Sequence, residues 1–81
     1  MNENNNVRFI EMSGKTLMEI VRHEGPSPDE LADVGVTDES IIRVNRQGDI
    51  EIRRLDRWDV IGGLLGEYED RVREATGLDW A

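Results

Sequence analysis

The segment from Ser40 to Gly77 constrains this chain most, and within it the tetrapeptide Asn45-Arg46-Gln47-Gly48 is the sharpest signal. Asparagine at the first turn position, with glycine where a left-handed backbone is needed, fits a type I turn closed by a G1 bulge. Asn45 then faces Asp49, and the next pairs are Val44 with Ile50, Arg43 with Glu51 and Ile42 with Ile52. Apolar side chains meet on one face and opposite charges on the other. A two-residue loop at Gln47-Gly48 would instead set Val44 against Glu51 and Asn45 against Ile50, a mismatch that favours the bulged turn. The sequence therefore predicts a β-hairpin over about residues 40–54. Its buried face is Ile42, Val44, Ile50 and Ile52; its solvated face is Arg43, Asn45, Glu51 and Arg53.

Asp56, with Asp59 three residues on, can cap a helix at the positive end of its dipole. Trp58, Ile61, Leu65, Tyr68, Val72 and Ala75 recur at spacings of three and four, one apolar stripe that Leu64 widens. Gly77 stands where a left-handed C-terminal cap belongs, and Leu78 can fold back on the last turn. The spacing predicts a long helix over about residues 57–76, lying across the apolar face of the hairpin. Gly62, Gly63 and Gly66 work against it, since each costs about 1 kcal/mol relative to alanine in a helix interior. Compensation would come from close approach of another backbone, within the molecule or at a subunit contact. A Gly-x-x-x-Gly spacing is strong evidence only in a membrane span, and Glu67, Glu69, Asp70, Arg71, Arg73 and Glu74 are not residues of one.

Upstream, the Asn-rich stretch Met1 to Asn6 has nothing to bury and reads as a disordered tail before a single domain at residues 7–81. Val7 to Met12 alternates and reads as a strand whose inward side is open to either assignment. Thr16 and Glu19 form a capping box for a short helix with Leu17, Ile20 and Val21 on one face, ended by Gly25-Pro26. Ser27 and Glu30 form a second box, with Pro28 in the first helical position, for a helix through Leu31 and Val34 to Gly35. The expected order is β-α-α-β-β-α, an α+β domain with a three-stranded mixed sheet. A right-handed crossover would make the first two strands parallel.

A chain of 81 residues buries only about 60% of its extended surface, which makes association a natural supplement to stability. Its net charge of -8, from 18 acids and 10 bases, disfavours nonspecific contact with nucleic acid or anionic membrane. The charges are segregated: Glu24, Asp29, Glu30, Asp33, Asp38 and Glu39 precede an arginine-bearing segment with Arg43, Arg46, Arg53, Arg54 and Arg57. The chain has no cysteine and no apolar run of membrane-spanning length, so a soluble, cytoplasmic protein is expected.

Motifs of catalysis fail on spacing. Ser13-Gly14-Lys15-Thr16 resembles the end of a phosphate-binding loop, but Phe9 occupies the position of its first glycine. His23 is the only histidine, and Asp29, Glu30 and Asp33 lack the alternating ligands and glycine of a calcium loop. Asp56 and Asp59 are explained by capping. No enzyme activity, cofactor or metal is therefore expected. Trp80, beyond the predicted cap, either folds back on the core or anchors a partner.

The stretch Arg43 to Ala81, with its Gly48-Asp49 turn, the run Trp58 to Gly66 and the ending Gly77-Leu78-Asp79-Trp80, resembles short bacterial proteins of similar size. The resemblance carries no activity and transfers no site. Val44 to Ile50 also resembles the strand-turn-strand of AbrB-type swapped-hairpin transcription factors, over barely a tenth of the chain. The sequence as a whole points to a noncatalytic protein-protein interaction or oligomerisation module, a homodimer included. Its candidate contact residues are Gly62, Gly63, Gly66, Trp80, Arg43 and Arg53. The alternative is a DNA-binding transcriptional regulator that presents the arginines of the hairpin to a groove.

Overall fold

The computed structural model describes residues 8–21 and 25–80; the expected tail at Met1 to Asn6, Val7 and His23 lie outside the described residues. Along the described chain run β1 (Phe9–Ser13), α1 (Gly14–Ile20), α2 (Pro28–Asp33), β2 (Ile41–Asn45), β3 (Asp49–Arg53), β4 (Trp58–Gly63) and α3 (Tyr68–Thr76). The strands form one antiparallel sheet in the order β1-β2-β3-β4, and the fold is a small α+β domain.

The hairpin has the register read from its side chains: Ile42 opposes Ile52, Arg43 opposes Glu51 and Val44 opposes Ile50. Gly48 has φ +91 and donates its N–H to the Asn45 carbonyl at 3.0 Å. The Asn45 side chain closes the loop, accepting from Asp49 N at 2.9 Å and donating to Asp49 Oδ2 at 3.0 Å.

The long helix at 57–76 is not formed, and the sheet has four strands rather than three. Its first third is the strand β4 and only Tyr68–Thr76 is helical. The segment Trp58-Asp59-Val60-Ile61-Gly62-Gly63 combines β-favouring residues with two glycines that a helix would bear at a cost. As a strand it continues the meander through a turn at residues 54–57, where Arg54 N bonds the Arg57 carbonyl at 2.7 Å. Asp56 therefore sits in a turn and caps no helix. The β3–β4 pairing steps from Ile50 opposite Gly62 to Glu51 opposite Val60, which leaves Ile61 as an extra, bulged residue. Gly66, with φ +69, lies in the connection to α3.

The first two strands are antiparallel, not parallel: Phe9 opposes Asn45 and Ser13 opposes Ile41. The reason lies in how α1 and α2 return the chain to the end of the sheet it left. Gly14 N bonds the Ser40 carbonyl at 2.8 Å and Lys15 N bonds the Asp38 carbonyl at 3.2 Å, so departure and return are stitched side by side. The cap of α1 is Ser13, whose Oγ accepts from Thr16 N at 3.1 Å, rather than Thr16 itself. The second box is as read: Ser27 Oγ accepts from Glu30 N, Glu30 Oε1 accepts from Ser27 N at 2.9 Å, and Pro28 opens α2.

All three helices lie on one face. Ile10 on β1 joins Ile42, Val44, Ile50 and Ile52 in a core completed by Leu17 and Ile20 of α1, Leu31 of α2 and Val72 of α3. Trp80 closes this core at 2% exposure. Its indole N–H donates to the Val44 carbonyl at 2.9 Å, and the Tyr68 ring stands edge-on to it at 6.5 Å and 84°. Gly77, with φ +74, ends α3 as expected, but the residue that folds back is Trp80; Leu78 is half exposed. An ion pair between Arg73 Nε and Asp79 at 3.0 Å braces the turn.

Candidate functional site

Among the described residues the helices cover one side and leave the other side of the sheet open, and strand alternation decides what it displays. Paired residues share a face, so Phe9 and Glu11 of β1, Arg43 of β2, Glu51 of β3 and Val60 of β4 project there together. Ile41, Arg53 and Trp58 share that parity.

The centre of the face is Arg43. Its guanidinium carbon lies 3.7 Å from the centroid of the Phe9 ring and 4.2 Å from that of Trp58. Glu51 Oε1 accepts from Arg43 Nε at 2.9 Å and lies 2.8 Å from Nη2. The two side chains keep only 23% and 12% of their exposure, so this ion pair is shielded from solvent on the side away from the core. The planar guanidinium suits both tasks, since it can lie against a ring while gripping a carboxylate through two nitrogens. Ile41 and Val60, at 54% and 62% exposure, extend this face. Replacing Arg43 by lysine keeps the charge but not the flat contact; a loss of about 1 kcal/mol is expected in urea unfolding, with the fold retained.

The hairpin face expected to be merely solvated is thus partly covered. Asn45 is buried at 8% exposure, and Trp58, placed by its helical spacing in the core stripe, stands on the open side instead. Among the sequence candidates, the structure brings Arg43 and Arg53 together around Trp58, with the Arg53 guanidinium 5.8 Å from that ring. Gly62, Gly63 and Gly66 belong to β4 and its exit, not to a helix. A Cβ on Gly62 would meet Pro26 Cγ at 2.9 Å, so the close approach there is made by the chain's own proline ring. Trp80 is enclosed in the core and does not reach the surface. Phe9, Ile41 and Val60 were not singled out from sequence, although the hairpin register already set Ile41 on the Arg43 side.

No family model, no curated protein and no solved structure matches this chain. What the face can do follows from its own geometry. Among the described residues no three His, Cys, Asp or Glu side chains converge to hold a metal ion, and no helix is long and apolar enough to cross a membrane. Lys15, in the segment resembling a phosphate loop, is exposed at the start of α1. Arg43 offers no bare cation, because Glu51 already compensates it. The face instead presents two rings, an arginine fixed between partners and two exposed β-branched residues. Tryptophan and arginine are the types that dominate binding hot spots.

Proposed function

We propose that this protein is a noncatalytic protein-binding module of the cytoplasm and that the open face of its sheet is the binding surface. The observation that carries this reading is the Phe9, Arg43, Trp58 and Glu51 cluster on a face that none of the helices covers. A sheet face meant only for water alternates to polar side chains; this one places rings and β-branched groups there. The cluster is also held in one arrangement before any partner arrives, which lowers the ordering cost of binding. The absence of cysteine suits a reducing compartment.

A second reading has one observation in its favour. Two rings and two arginines on an open sheet are the parts of a base-stacking platform for single-stranded nucleic acid. Glu51 neutralises Arg43, however, Glu11 lies in the same row, and the chain carries -8 overall. Protein is the better match to such a surface.

The test places a photoreactive residue at Val60, on the open face, and separately at Glu74, exposed on α3, in cells producing the full chain. A discrete protein adduct from position 60, absent from position 74 and lost with Trp58→Ser in a protein that remains folded by circular dichroism, is the expected result. Equal adducts from both positions, or none from position 60, would refute it. A nuclease-sensitive adduct would replace it with the nucleic-acid reading.

A further inference from the structure

A second surface lies at the β4 edge, on the helical side of the sheet. A shallow groove of about 660 Å³ runs there between β4 and α2. Its apolar lining comes from Pro26, Val34, Ile61 and Leu65, with Leu65 64% exposed, and Glu30 and Asp33 add acid to it. Beside it stands the β3–β4 tip, Arg54-Leu55-Asp56-Arg57. Leu55 is fully exposed, touching solvent on every side. Arg54 is committed to Asp59 at 3.1 Å and to the Val34 carbonyl at 3.0 Å, which fixes the base of the tip against the groove's own rim. Arg57 remains 63% exposed, and its contact with the adjacent Asp56, itself 80% exposed, is of a kind worth little in water.

A fully exposed leucine two residues before the exposed Arg57, and an apolar groove edged by Glu30 and Asp33, match in polarity and, at Arg57, in charge, and one chain carries both. We propose that the β3–β4 tip of one copy docks in the β4–α2 groove of a second copy, forming a two-fold dimer. The tip and groove are neighbours on one surface, as the Arg54 to Val34 bond shows, so the rotation that seats one tip seats the other in return. Leu55 fills the apolar floor and Arg57 meets Asp33 of the second copy. The bulge at Ile61 turns the edge of β4 away from plain strand pairing, which leaves side-chain docking as the mode of contact. This dimer uses residues apart from the Arg43 cluster and stands or falls separately from the open-face reading.

Sedimentation velocity on the full chain, from about 1 µM to about 500 µM, tests it. The expected result is a monomer-dimer equilibrium that Leu55→Asp weakens by about 30-fold or more. Arg57→Glu and Asp33→Arg should each weaken it alone, and an equimolar mixture of those two variants should restore the dimer, because both exchanged contacts then pair opposite charges. All three positions are exposed, so unfolding by urea serves as a control and should be unchanged. A monomer at every concentration, a dimer indifferent to Leu55→Asp, or no recovery on mixing would overturn the proposal. Growth beyond a dimer would also overturn it, in favour of head-to-tail association.

Discussion

Replacing Trp80 with alanine should remove about 3–5 kcal/mol of stability, the largest effect of any single side chain here. The indole is the largest of the fully buried side chains, and it touches elements far apart in sequence: Val44 on β2 through its N–H and Tyr68 on α3 through its ring. A domain of this length has about 4–12 kcal/mol in total, so the alanine variant should lose a large share of its stability and unfold at a markedly lower urea concentration. Trp80→Phe separates the two contributions. It keeps most of the packing but takes the donor from the Val44 carbonyl, and about 1–3 kcal/mol should be lost. Urea unfolding followed by circular dichroism reads both. A tryptophan variant that unfolds like the parent would mean that the C-terminal turn is not part of the core.

Gly14→Ala should be nearly as damaging, at about 3 kcal/mol or more, although alanine is ordinarily the better helix former. A Cβ at this position would overlap the Thr37 carbonyl oxygen and lie 3.0 Å from its carbon. That carbonyl cannot easily yield. It accepts from Ser40 N at 3.1 Å, Thr37 N is held by Ser40 Oγ at 2.8 Å, and Gly14 N itself bonds the Ser40 carbonyl. The requirement is therefore for close backbone approach rather than for unusual backbone angles. Lys15→Ala, one residue on and exposed, should change stability by less than about 0.5 kcal/mol. The pair of measurements distinguishes a packed chain crossing from a phosphate-binding loop, in which Lys15 would be the residue with a task.

The parts of the fold legible in sequence are those where local chemistry and long-range packing ask for the same thing. Asn45 to Asp49 specify their turn and register through one asparagine side chain and one left-handed glycine, and the Ser27 box specifies its helix start in the same local way. Trp58 to Gly63 read as helix because Trp58, Ile61 and Leu65 fall at helical intervals, while Trp58 and Val60 also alternate as a strand does. The three glycines carried the deciding hint: each is a cost in a helix, and two become ordinary in an edge strand overlaid by Pro26. The Arg43 to Glu51 half of the candidate site was legible from cross-strand pairing. Its aromatic half was not, because Phe9 and Trp58 join it only through the placement of β1 and β4 at either side of the hairpin, which no local pattern encodes.

The strand order has a consequence for how the chain assembles. β2, β3 and β4 are joined by short turns at residues 46–48 and 54–57, whereas β1 must find β2 across the whole of α1 and α2, and Trp80 must find Val44 across 36 positions. Closing a short loop costs less entropy than closing a long one. On that ground the molecule is expected to build from its middle outwards, with the three-stranded meander closing first. The two flanking arms, one bringing Phe9 to the open face and the other bringing Trp80 to the core, then dock on opposite sides of the same strand, β2. Arg43 and Val44, adjacent in sequence and pointing to opposite faces, are the seam on which both arms converge.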